Sequence, residues 1–324
     1  MRVPYALAAV LLVAGCSTPE DPGLEISVPA QAGTIQAAVD AAREGTTILV
    51  APGVYRESVR VGTRGVTIRG AQRGSVIIDG EVRRADGIVL AAPDVSVQNL
   101  TVRNHTSHGV LISQVQGFRV SYVTASNNAM DGIHASGAQH GVIEQSYASG
   151  STDSGFHVGR CQACDVVVRG NVAERNAVGY RSADASGRMF VLGNRFSGNR
   201  VGLSSDASAQ DDVALVGNLV SDNDEALSPA REGSAFGIGL DITARPRAGM
   251  FRNLVTGNPG GDVVVGDLPR KKLMAPPGIP FTQVAAPPLQ PEMPDAPLPD
   301  RAPDVEKYVL PDEDLFDDRA AVRA

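Results

Sequence analysis

A chain of 324 residues with 43% hydrophobic content has material for a real core, yet it holds no Trp, only 4% aromatics and 35 Gly. A core of Val, Ile, Leu and Ala punctuated by Gly and Asn suits thin stacked strands better than a globular α/β sandwich. The net charge of −7, with no basic cluster larger than Arg270-Lys271-Lys272, argues against a nucleic-acid partner, because phosphate binding draws on clustered Lys and Arg.

The first segment reads as a targeting signal. Arg2 supplies a minimal positive region, and the apolar run over 5–13 is too short to span a bilayer permanently. It ends in Val13-Ala14-Gly15-Cys16, which resembles a bacterial lipoprotein box. That resemblance implies cleavage before Cys16 and acylation of its thiol, with residues 1–15 as the signal. The protein would then be held to a membrane by lipid, facing outside the cytoplasm, each buried methylene contributing about 0.8 kcal/mol. An ordinary secretory signal, with Cys16 incidental, is the other reading. Residues 16–24 read as a solvated tether.

Over 34–45 the pattern predicts a short amphipathic helix: Thr34 as N-cap, Ile35, Ala38, Val39 and Ala42 on one face, and Gly45 just past the end. Beyond it, an internal repeat organises the chain. Segments 95–112, 118–135 and 141–158 each place Gly before an apolar residue, at Gly109, Gly132 and Gly155, in steps of 23. Further copies put Gly at 179 and 202. Asn pairs five apart run alongside, at 171/176, 194/199, 218/223 and 253/258. An insertion of about eleven residues within 224–236 delays the next slot to Gly237, and Gly261 follows.

A period of 23–24 fits a coil of three short strands, each pairing with its copies above and below. The predicted fold is therefore all-β: a single-stranded right-handed parallel β-helix over 25–267, about nine coils, with an N-terminal α-helical cap that covers the open edge. The Gly slot marks a bend where a Cβ is awkward or φ is positive. The Asn slots suit turns, and stacked copies make an Asn ladder. From 268 to 324 the composition shifts, with twelve prolines after Leu268. This tail reads as extended and largely disordered, with Phe281, Val305, Tyr308 and Leu310 as residues able to dock on the last coil.

Residues 33–61, with Pro52-Gly53-Val54-Tyr55-Arg56-Glu57, resemble the cap and first coil of pectin-lyase-like β-helix proteins, a superfamily that includes pectin esterases and NosD-type periplasmic β-helices. The resemblance covers most of 25–267 and implies the fold. It does not carry chemistry across. The esterase Asp/Asp/Arg site, the polygalacturonase NTD and GHG signatures, the paired Arg of pectate lyases and the Asp-Pro-His-Asp of alginate epimerases have no counterpart here. No cofactor and no metal site are expected.

The repeat itself selects candidate residues. The residue after each Gly is apolar and should point inward, so the next one points outward. That outward row holds Leu111, His134, His157, Arg181 and Ser204, while His108, Asp131 and Ser154 precede the Gly, with Asp153 one further back. His108, Asp131, His134, Asp153, His157 and Arg181 are thus predicted to share one rim. One reading is a groove for an anionic glycan, with Arg181 neutralising a carboxylate and His134 or His157 as base, as a lyase or epimerase needs. The other is a solvated face whose His and Asp satisfy one another.

Cys161 and Cys164 form a CxxC. A local disulfide is the first reading for an oxidising compartment. A redox site lacks a thioredoxin-like helix start, a metal site would need His140 or His157 as further ligands, and free thiols remain open. Tyr122 and Tyr147, read as equivalent slots of adjacent coils, are the candidates for stacking on sugars, with wall residues as the favoured reading. The functional expectation is an envelope lipoprotein that binds polysaccharide or envelope components. A lyase or epimerase is the alternative. A scaffold that holds the Pro-rich tail out for a protein partner is the second.

Overall fold

A computed structural model describes residues 24–206, 211–231, 233–243, 249–266 and 273–295 of the chain. The signal, Cys16 and most of the tether lie outside these, as do Val305, Tyr308 and Leu310. No helix among the described residues is long and apolar enough to cross a membrane.

The chain winds as a right-handed parallel β-helix. One face is a sheet of nine strands, one per coil, running from Val59–Val61 to Gly261–Val265. The other two faces merge into a seventeen-stranded sheet, because Val95–Arg103 and Gln116–Ser126 run through the bend between them. All pairings are parallel and in register, with Val110, Ile133, Phe156, Tyr180, Leu203 and Leu240 stacked as one inward column. Every residue of that column is at most 2% exposed. The glycine slot follows from this stacking. A Cβ on Gly109, Gly132, Gly179 or Gly202 would stand 2.5–2.8 Å from the carbonyl oxygen of the next coil's glycine. Close approach, and not positive φ, is what excludes a side chain there.

The ruler slips once. Val201 pairs with Ile238 and Leu203 with Leu240, so Gly239 occupies the slot, and Asp262 the one after it. Gly237 instead has φ +78° and ends the inserted turn. The Asn pairs form two ladders, Asn171–Asn194–Asn218–Asn253 and Asn176–Asn199–Asn223–Asn258. After the first of each ladder, every Asn Oδ1 accepts from the backbone N–H and the side-chain amide of the Asn one coil before.

The cap is shorter than its sequence pattern. Its helix is Ile35–Ala41, with Thr34 Oγ1 accepting from Ala37 N. Ala42 is already extended, and Thr46 Oγ1 takes the N–H of Arg43, so Gly45 serves the turn into Thr47–Val50 and not the helix end. Glu57 explains part of the motif around it: its carboxylate accepts from the N–H groups of Ile35 and Gln36, joining the first coil to the start of the cap. An added strand, Glu25–Val28, pairs ahead of Thr47–Val50.

The tail corrects the expectation most. Residues 273–295 are laid back along the β-helix, extended apart from a 3-10 turn at Phe281–Gln283. The Arg200 guanidinium donates to Pro276 O, Asn127 Nδ2 to Val284 O, and Met293 N to Asn99 Oδ1. The strongest tie is Arg73, only 2% exposed. It donates to Thr124 Oγ1 and the carbonyls of Val123, Gln145 and Pro291, while its own N–H is taken by Glu292. Burial pushes this guanidinium down to about 10, with Glu292 opposing. A Pro-rich segment has few donors to satisfy, and polar side chains of the wall capture its carbonyls in place of an apolar core. The segment 273–295 is therefore not held away from the rod. Arg73→Ala should cost about 2 kcal/mol by stranding buried acceptors. It should also open the tail to cleavage after 272, read by limited proteolysis with mass spectrometry; an unchanged digest would contradict this anchoring role.

Candidate functional site

The nine-stranded face carries the site. Its outward row sets Leu111, His134, His157, Arg181, Ser204 and Asp241 in register on successive coils. His108, Asp131 and Ser154 stand before the glycine, where the backbone enters each strand. The structure thus brings His108, Asp131, His134 and His157 into one cluster, with Arg181 and Asp153 paired beside it.

Asp131 is the centre, 1% exposed. Its Oδ1 accepts from Ser154 N and Oγ, at 3.1 and 2.5 Å. Its Oδ2 faces three imidazoles: His134 Nδ1 at 3.1 Å, His157 Nδ1 at 3.4 Å and His108 Nε2 at 3.5 Å. The His134 and His157 rings, register partners on adjacent coils, stack with centroids 4.1 Å apart. His108 has a second carboxylate behind it, Asp86 Oδ1 at 2.8 Å from Nδ1. Burial opposes ionisation of Asp131, but the imidazoles of His134 and His157 outweigh it and hold the carboxyl far below the usual range. Burial lowers His134, against the pull of Asp131. The hydrogen bond from His108 lowers Asp86.

One coil further, Arg181 Nη1 donates to Asp153 Oδ1 at 2.7 Å. Arg231, from the inserted turn, reaches Asp153 Oδ2 at 3.8 Å and is 61% exposed. Arg231, Ser234 and Ala235 wall a small cavity of about 170 Å³ over Asp153, Arg181, Ser204 and Asp241.

Three residues of this face escaped the sequence reading, among them Asp241, which a ruler set at Gly237 passes over. Asp86 had a signal: Gly87 precedes apolar Ile88, which pairs with Val110, so the glycine ruler extends back one coil and puts Asp86 in the slot of His108. Arg231 had none, since an insertion has no repeat to align it. Cys161 and Cys164 are joined in a disulfide, which removes both sulfurs from metal binding. Tyr122 and Tyr147 are not equivalent. Tyr147 pairs with Thr124 and Val172 and is 1% exposed, its hydroxyl donating to Glu174 and pushed up to about 12 by burial and that carboxylate. It offers no face to a sugar.

A parallel β-helix with a polar, in-register rim places the chain in a recognisable class. It belongs to the family of the right handed beta helix region, which it matches over residues 54–206 and 108–268. Among solved structures it is similar to a pectin methylesterase from Yersinia enterocolitica, at 11% identity over 78% of this chain and 95% of that one, with a TM-score of 0.43. It is also similar to the pectate lyase Pel9A, at 14% identity over 68% and 64% of the two chains, with a TM-score of 0.44. Against ORF18 of Geobacillus virus E2 the identity is 11% and the TM-score 0.39; the match covers 71% of this chain and 59% of that one. No curated protein matches it.

Proposed function

We propose that the protein binds an anionic polysaccharide along the rim from His134 to Asp241. The observation that carries this reading is the register: His134, His157, Arg181 and Ser204 lie in one line at coil spacing, about 4.8 Å apart. A line of polar groups at a fixed repeat suits an extended polymer with a repeating unit. Arg181 and the exposed Arg231 supply the positive charge that a uronic carboxylate needs, in a chain that is acidic overall. Binding should therefore discriminate polygalacturonate or alginate from neutral dextran in affinity electrophoresis. Arg181→Ser, which copies Ser204 one coil on, should weaken acidic binding about tenfold with the fold intact. Equal retardation by acidic and neutral polymers would sink the reading.

Processing of the polymer, by a lyase or epimerase route, is the second reading. It is favoured by His157, whose register partner is Arg181: a base beside a cation that neutralises the carboxylate is what proton abstraction next to that group requires. Release of unsaturated uronides by the wild-type chain and not by His157→Ala would support it.

For location, the proposal is export and anchoring through Cys16, facing outside the cytoplasm, where envelope components are the available partners. The lipoprotein-box pattern of Val13-Ala14-Gly15-Cys16 supports this, as does the disulfide, which suits an oxidising compartment. Labelled palmitate should enter the native chain and not Cys16→Ser.

A further inference from the structure

We propose that His108, Asp131 and His134 form a binding site for a borderline transition-metal ion such as zinc(II). The proposal stands apart from the polysaccharide reading, since metal binding is measured with no glycan present.

The first support is spacing. Asp131 Oδ2 lies 3.5 Å from His108 Nε2 and 3.1 Å from His134 Nδ1. Zinc bonds of about 2.0–2.1 Å in a tetrahedral shell set neighbouring ligand atoms roughly 3.4 Å apart. Both imidazole nitrogens stand near that separation from the carboxylate oxygen, and all three donor atoms lie within 4.8 Å of one another, so no large movement is needed.

The second support is the pattern of protons. Asp86 Oδ1 sits 2.8 Å from His108 Nδ1 and accepts its N–H. In the neutral ring this leaves Nε2 as a lone pair, facing the carboxylate oxygen of Asp131. Two acceptors set against each other repel, and a cation between them turns the contact attractive. His134 shows the same need in another form. Its Nδ1 is 3.1 Å from Asp131 Oδ2 but out of line for a hydrogen bond, and both ring nitrogens are buried without a hydrogen-bond partner. Buried polar atoms without partners are rare and call for a ligand or an ion.

The third support lies behind the ligands. A metal-bound imidazole usually donates its other N–H to a carboxylate, which orients the ring, and Asp86 holds that place behind His108. Ser154 N and Oγ hold Asp131 Oδ1, which fixes Oδ2 toward the imidazoles. His157 stacks on His134 and reaches the same Oδ2 at 3.4 Å, so it stands at the edge of the shell. Two imidazoles and one carboxylate select zinc, copper, nickel or iron over calcium and magnesium, which take oxygen ligands.

The test uses the full-length chain without an affinity tag, in a Cys16→Ser background so that no free thiol competes. After dialysis against a chelator it is titrated with zinc chloride by calorimetry. One zinc per chain is expected, with no response to calcium chloride in the same range. His134→Leu copies Leu111 one coil earlier, and Asp131→Ser copies Ser154 one coil later, so both have a precedent in the fold. Each should weaken zinc binding at least about a hundredfold, and Asp86→Asn about tenfold to a hundredfold, with circular dichroism unchanged. His140→Ala, at an exposed histidine outside the cluster, should bind as the parent does. Absence of zinc binding by the parent chain would overturn the proposal and leave a proton shared between His108 and its two carboxylates as the occupant. Undiminished binding by a folded His134→Leu, Asp131→Ser double variant would overturn it too.

Discussion

Asn199→Ala should destabilise the protein by about 3 kcal/mol, the sum expected when several buried polar groups lose their partners together. Asn199 is fully buried. Its Oδ1 takes both the backbone and the side-chain N–H of Asn176, and its own amide serves Ala173 O and Asn223 Oδ1. Alanine removes these bonds and a longer one to Ser197 O, at a site closed to bulk solvent. Asn253 ends the other ladder and is half-buried, its amide serving Leu215 O. Water can reach that site, so Asn253→Ala should cost nearer 1 kcal/mol. Chemical denaturation of the two variants checks the contrast. Equal, small losses would mean that the ladder is a set of independent turns and not a column of coupled bonds.

Glu144→Leu should be the more damaging substitution, at about 3–5 kcal/mol, because it leaves a buried cation without its counter-charge. The Glu144 carboxylate, 4% exposed, binds the Arg119 guanidinium, which is 6% exposed, and accepts from Ser121 Oγ. Its other oxygen accepts from Arg169 Nε and Nη2. The remedy is written in the neighbouring coils. Arg119 pairs with Val142, and two coils beyond Glu144 its column holds Leu192. The double variant Arg119→Val, Glu144→Leu should therefore recover most of the loss, since an apolar pair of that kind is already built into the same wall. A double variant no more stable than Glu144→Leu alone would show that the cost lies in packing and not in the stranded charge.

Both predictions concern residues of the same repeat, yet only one was legible beforehand. The Asn pairs recur five apart in four coils, and a side chain recurring at a turn in successive coils must stack on itself. Glu144 does not recur: Ser121 and Arg169 occupy its column in the adjacent coils, so periodicity carries no hint of an ion pair there. The rim follows the same division. His134, His157 and Arg181 could be placed from a two-residue alternation counted from glycine. That Asp131 would turn one oxygen to three imidazoles depends on rotamers and on the bend before each strand.

What the sequence by itself determined is the period, and with it the fold, the inward column, the ladders and the stretch of the rim from His108 to Arg181. A repeat obliges equivalent residues to lie one strand spacing apart, so counting along the chain is enough to find neighbours. Tertiary structure alone decided whatever breaks the repeat. It moved the glycine slot from Gly237 to Gly239, ended the cap at Ala41 and brought Arg231 over Asp153. It also laid 273–295 back along the wall under the hold of Arg73, Asn99 and Asn127. These contacts join residues up to 219 positions apart, and only the folded chain brings them together.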